Sequence, residues 1–340
     1  MLTAVSEWES PDHIFLGDGI TLRLDKHEPA KQAKEVHFAL PNGEKLTYGE
    51  ISALAGDFFG TWKPISDAPD PEERTRCFIS AWESLAVETR LKSEIRSILY
   101  IINEQKAAVE QAIKHGRHPS EVYKSPLWDI RFQNATQGRK NQKLPTYLDL
   151  ARLDWDHFGL DARLSYNTGH AVAIEIAKKG TQEALLTAYA INAFADHFLQ
   201  DSFSAGHIRT PRRALHFGDN VDVDNKAKLM HDEDGEKGLH VSSRTQCKWT
   251  MYGDMNFLDK ENKENREYCH QAVQSSVNEI FEAWKDGESA SPKDYKAWTY
   301  APDIKTAFSP HNHTPMFSIQ ERPKQRPWYT QIYDYILSIG

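Results

Sequence analysis

The segment that most constrains the fold is Gln182 to Ser202, QEALLTAYAINAFADHFLQDS. It is alanine-rich and apolar on much of its circumference, the pattern of a helix buried at the centre of a bundle. Thr181 is placed to cap its start. Yet the same helix carries His197 and Asp201, one turn apart on one face. His207 follows directly after Gly206, where the chain can turn back toward that face. Buried polar groups without partners are costly, so these side chains require one. Imidazole and carboxylate in the spacing H-x3-D-x5-H are donors that zinc accepts. The expectation is a metal site built on a central helix, and with it a metal-dependent hydrolase.

Composition narrows the class. The chain has 340 residues, of which 39% are hydrophobic and 26% charged, enough for a sizeable core in one large domain or two ordinary ones. The formal net charge of -8 argues against a nucleic-acid partner. Cys77, Cys247 and Cys269 form neither a disulfide framework nor a C-x-x-C site. No apolar run is long enough to span a membrane. The N-terminus lacks a basic n-region and an apolar h-region, so a secretory signal is expected to be absent or already removed.

Helices dominate the pattern. Residues 1–45 read as one or two loose strands, including His13-Ile14-Phe15-Leu16, on an arm packed against the domain. Thr47 with Glu50 forms a capping box for a short helix. Apolar spacing predicts helices at about 71–85 and 87–115, then a long Pro-containing loop over 117–147. A short helix is expected within 146–156, another opening near His170 and ending at Gly180, and a long one at about 259–285. Residues 208–230 read as irregular. The main helical domain spans 46–290, and 291–340 is a C-terminal extension on the same domain.

Further donors surround the central motif. Asp156 and His170 are spaced D-x13-H, with His170 on the helix before the central one. His231 and Asp234 stand at i, i+3. Asp57 lies between Gly56 and Phe58.

Asp156, His170, His197, Asp201 and His207 together resemble the zinc-dependent phospholipases C, whose relatives include zinc nucleases specific for single strands. The phrases LTYGEISALAGDFFG, DWDHFGLDARLSYNTGH, HFLQDSFSAGHIRTPR, MHDEDGEKGLHV and WTMYGD look most like the branch similar to the phospholipase C of Pseudomonas fluorescens. The resemblance runs from about residue 37 to 280. It implies an all-α, multi-helix bundle with long loops and few strands, holding two to three Zn2+ ions in a cleft. Carried over, His170, His197 and Asp201 would bind one zinc. His207, His231 and an acid after it would bind a second. Asp156 would bridge metals or position the hydrolytic water, which makes it the catalytic residue. The family's H-x3-E is broken here by Gly235, so Asp234 takes that place, with Asp232 or Glu236 as alternatives. The family's N-terminal tryptophan ligand has no counterpart at Met1. Asp57, with His37 or His13, fills the third role.

Asp154, Asp161, Asp196 and Asp254 are placed to orient histidine ligands, and Arg209 and Arg212 to meet phosphate. Trp155, Phe158, Tyr166, Phe203, Trp249 and Tyr252 are candidates for a cage around a quaternary ammonium, and otherwise ordinary core residues. His157 stands where choline-preferring relatives have an aromatic, which leaves the headgroup open. The expected activity is phospholipase C on phosphatidylcholine- or phosphatidylglycerol-type lipids at a membrane surface, by a monomer without nucleic acid. A nuclease or phosphatase of the same fold, or a non-catalytic binding or effector module, are the alternatives. Relatives are secreted, so export by a non-classical route, or storage in the cytoplasm before it, is expected of a chain without a signal.

Overall fold

The central helix predicted from the alanine pattern is α9 in the computed structural model, which describes residues 10–142, 144–153, 155–216 and 221–317. Among these residues there are fourteen α-helices. They are α1 (Ser10–Gly19), α2 (Tyr48–Leu54), α3 (Pro71–Ala86), α4 (Lys92–Lys114), α5 (Ser120–Tyr123), α6 (Leu127–Thr136) and α7 (Tyr147–Arg152). After them come α8 (Gly159–Ala177), α9 (Gln182–Asp201), α10 (Ala205–Ile208), α11 (Arg212–Leu215), α12 (Val221–Lys237), α13 (Lys263–Asp286) and α14 (Ala297–Tyr300). The described strands form three two-stranded antiparallel ribbons, of which the longest pairs Leu239–Ser242 with Lys248–Met251. The fold is all-α. Asp154 and the apolar segment Trp328 to Ile339 lie outside the described residues.

Every residue from Ala188 to Asp201 on α9 is buried, as its apolar circumference requires. Thr181 caps its start by accepting from Ala184 N. Helices α2, α8 and α13 pack around it. Helix α8 comes close because Gly169 has no side chain: a Cβ there would lie 2.2 Å from Phe78 Cε2 and 2.6 Å from Ala195 Cβ. Thr47 and Glu50 close the capping box of α2.

Three local expectations change. Residues 10–19 form a helix where alternation suggested a strand. Helix α1 is buried nearly all round, so no polar face marks its period. It docks on α2 where Gly17 meets Gly49, a Cβ on Gly17 falling 2.7 Å from Gly49 Cα. The region read as a loop over 117–147 contains α5 and α6. Pro119 and Pro126 stand at their N-caps and start helices instead of breaking them. In 208–230, Pro211 likewise precedes α11, and α12 begins at Val221.

Candidate metal centre

Buried histidine and aspartate side chains converge where the C-terminal half of α9 meets α1, α10 and α12. They fall into three groups whose donor atoms lie within 4.8 Å of one another: His13, Asp57 and His197; His157, His197 and Asp201; His207, His231 and Asp254.

Asp201 joins them. Its Oδ2 lies 2.9 Å from His157 Nδ1 and 3.4 Å from His197 Nε2. Its Oδ1 lies 3.7 Å from His13 Nε2 and 3.6 Å from His207 Nδ1. His207 reaches onward, with Nε2 3.1 Å from Asp254 Oδ2, and the same oxygen is 3.5 Å from His231 Nε2. Asp57 Oδ1 is 3.9 Å from His197 Nε2 and 4.0 Å from His157 Nδ1.

Outward hydrogen bonds fix which nitrogen faces inward. His197 Nδ1 donates to the Ser52 carbonyl at 2.9 Å, and His13 Nδ1 donates to Gln200 Oε1 at 2.6 Å. His231 Nδ1 lies 3.1 Å from Asp232 Oδ1. Each ring therefore turns Nε2 toward the centre, the arrangement that orients a histidine ligand. His197 can then give one nitrogen to one cation, so the two groups that contain it describe one centre with His13 beside it. The third group describes a second centre, linked to the first through Asp201 and His207.

The electrostatics of the first centre suit a cation. Burial holds His157 and His197 well below the ordinary histidine range, and neighbouring imidazoles push them further down. Burial lowers His13 to about 4. These rings are neutral at pH 7, the form that ligates metal. Burial would also lower His231, but the neighbouring carboxylates of Asp232 and Asp254 outweigh that and lift it to about 10. Asp254 moves the other way: burial raises it, and His207 and His231 outweigh this to hold it well below the usual carboxylate range. Within the second centre, His231 Nε2 and Asp254 Oδ2 are buried and make no sound hydrogen bond to described residues. Paired donors of this kind, aimed at one point, fit a metal ion.

The sequence-derived residues divide clearly. The structure brings together Asp57, His197, Asp201, His207 and His231. It does not bring Asp156, His170, Asp234 or His37 to the centre. Asp156 instead caps the turn at Ile65–Asp67: its Oδ2 accepts from Ile65 N at 2.6 Å, and its Oδ1 from Ser66 N at 2.9 Å and Ser165 Oγ at 3.0 Å. It lies on the short 3-10 turn Trp155–His157, where successive side chains point in different directions, so the next residue, His157, enters the cluster. His170 faces α13, with Nδ1 donating to Asn192 Oδ1 at 2.6 Å and Nε2 3.4 Å from Glu279. Asp234 is consumed by the buried guanidinium of Arg209, which donates to both its oxygens at 2.7 Å, and by His313. Asp254, reached from a different loop, takes the place expected of Asp234. His37 is exposed.

The orienting roles also shift. Asp196 belongs to a buried network below α9, receiving hydrogen bonds from Tyr48 Oη at 2.6 Å and Ser276 Oγ at 2.7 Å. Burial lifts it to about 7 against those bonds. Asp161 pairs with Arg213. Arg212 donates to the Ala151 and Arg152 carbonyls. Of the aromatic candidates, Phe158 packs on the centre, 4.6 Å from the His207 ring. Trp249 packs against Tyr268, and Tyr166 stacks on His170. Sequence reasoning passed over His157 as a metal ligand. Its signal was a histidine enclosed by Trp155 and Phe158, where a surface residue would be out of place.

A paired substitution separates the two histidines. His157→Gln is expected to cost roughly one bound ion per chain. His170→Gln should keep the metal count and lower stability by about 1–3 kcal/mol, because it disturbs a buried hydrogen bond. Metal analysis and urea unfolding report the two effects. Metal loss in His170→Gln with full retention in His157→Gln would return His170 to the centre.

No family model, no curated protein and no solved structure matches the chain.

Proposed function

We propose that this chain is a zinc-dependent phosphodiester hydrolase of the phospholipase C type, releasing diacylglycerol and a phosphorylated headgroup from glycerophospholipids. One observation carries the reading. Eight histidine and aspartate donors, from segments as far apart as His13 and Asp254, converge, and outward hydrogen bonds preset the inward nitrogens of His13 and His197. The donors are all nitrogen and oxygen, without a cysteine, as in hydrolytic zinc sites. Two to three Zn2+ ions held there would neutralise the phosphate oxygens, lower the pKa of water and stabilise the entering and leaving oxygens.

The chain's own residues do the rest. Asp201 and His207 each face both centres, so the two are held as one unit. Phe158 covers the His207 ring and excludes water from that side. The resemblance of the five quoted phrases to phospholipases C supports lipid as the substrate. So does the pairing of nearby arginines: Arg209 with Asp234, Arg212 with backbone carbonyls and Arg213 with Asp161 and Asp67. They form no open cationic track of the kind that follows a nucleic-acid backbone. No described helix is long and apolar enough to cross a membrane, and the proposed contact with lipid is peripheral.

The test uses zinc-loaded protein with vesicles of phosphatidylcholine or phosphatidylglycerol and, separately, single-stranded DNA. Diacylglycerol release, lost with chelator and restored by zinc, is expected. Nucleotide release without diacylglycerol would replace the lipase reading with a nuclease. Absence of bound zinc after purification without chelator would favour a binding module.

A further inference from the structure

Beside the proposed hydrolytic centre lies a buried acid that none of the roles above uses. Asp12, in the first turn of α1, is 5% exposed. Tyr123 Oη donates to its Oδ1 at 2.9 Å. Its Oδ2 is buried and makes no hydrogen bond to described residues. A polar oxygen left bare in the interior costs free energy, so it calls for a partner that the described residues do not supply. A cavity of about 20 Å³ supplies the space. Its walls include Asp12, His13, Asp201 and Asp254, so it touches donors of both centres. That volume holds roughly one water molecule and excludes a trimethylammonium group or a phosphate. Leu16 and Phe257 form part of this chamber and also line an outer cleft of about 370 Å³ on their other side.

We infer that Asp12 is a catalytic residue whose Oδ2 accepts a hydrogen bond from the hydrolytic water seated in this chamber, with Tyr123 holding the carboxylate in position. The inference rests on the hydrolase reading of the cluster. It gives Asp12 the water-holding role that Asp156, engaged with Ile65 and Ser66, does not fill. In the reaction the water oxygen bonds to phosphorus as the phosphorus–oxygen ester bond breaks. One water proton ends on the departing glycerol oxygen, and the other is released from the phosphate product to solvent. The fixed acceptor sets the direction of the water's lone pair before attack.

The test compares zinc-loaded wild type, Asp12→Ala, the near-isosteric Asp12→Asn and Tyr123→Phe, all as the full chain. Metal content, kcat and KM on phosphatidylglycerol vesicles and on bis(4-nitrophenyl) phosphate, formate rescue, and a crystal structure of each zinc-loaded protein are measured. In Asp12→Ala, kcat is expected to fall about 100-fold or more on both substrates, with KM within about twofold and full metal content. Formate restores part of the lost rate, and the water within hydrogen-bond distance of Oδ2 in the wild type is missing. Tyr123→Phe lowers kcat less. If Asp12→Ala does not fold, Asp12→Asn carries the same comparison of kcat and metal content. Zinc lost together with activity would make Asp12 a part of the metal framework and overturn the proposal. So would kcat within about threefold of wild type at full metal content, which marks a structural water only. Wild-type protein that carries zinc but cleaves neither diester would overturn the hydrolase reading itself, and the role of Asp12 with it.

Discussion

Replacing Asp201 with alanine is expected to empty most of the metal centre and to lower kcat/KM by about 1,000-fold or more. Asp201 faces four other donors of the cluster. One oxygen serves the His157 and His197 side and the other the His13 and His207 side, all within 3.7 Å. Its loss removes a negative charge from between the two cation positions and leaves both one donor short. The helix that carries it should survive, because α9 is held along its length by apolar contacts and by the Asn192–Asp196 network rather than by its last residue. Metal analysis, circular dichroism and diester turnover together decide the matter. A variant with full zinc and near-normal turnover would remove Asp201 from the mechanism and undo the linkage of the two centres.

The second large effect is expected from Gly56→Ala. Gly56 adopts φ +67°, a left-handed conformation that costs a residue with a Cβ about 1–2 kcal/mol. The added methyl would also fall 2.4 Å from His157 Cε1, 2.8 Å from His157 Nε2 and 3.0 Å from His197 Nε2. The rings can yield only by leaving their inward positions, since His197 is tied by Nδ1 to Ser52. Overpacking of this kind adds about 1–3 kcal/mol. The expected result is a destabilisation of roughly 3 kcal/mol together with loss of metal from the His157–His197 centre. Gly116→Ala is the control. It has φ +68° with nothing within 4 Å of its Cβ, so it should show backbone strain of about 1 kcal/mol and no change in metal. Equal metal content in the two variants would show that the floor formed by Gly56 does not shape the centre.

The long helices α3, α4, α9 and α13 were visible in the sequence because each has either a clear apolar face or strong caps, whereas α8 was legible only from His170 onward although it starts at Gly159. Helix α1 was not, since a helix buried all round looks like any short apolar run. Helices α5 and α6 were hidden because Pro119 and Pro126 were read as breakers, although proline is well placed at the start of a helix.

The candidate site follows the same division. Within α9 and the turn after it, spacing alone placed His197, Asp201 and His207 together, because helical geometry fixes the relation of residues four apart wherever the helix packs. Beyond that stretch, competition among partners decided. Asp234 and His231 share a helix, yet Arg209, buried without solvent, required a countercharge and took Asp234. Asp156 and His157 are adjacent, yet the open amides of Ile65 and Ser66 took the first and left the second to the centre. His13 reaches Gln200 and Asp201 across 187 and 188 positions of chain, and Asp254 reaches His207 only after the Leu239–Met251 hairpin returns. The sequence by itself determined an all-α chain with candidate metal donors on its central helix. Which aspartates and histidines complete that chemistry was decided by tertiary structure, because a buried polar group joins whichever partner the packing brings within hydrogen-bond distance.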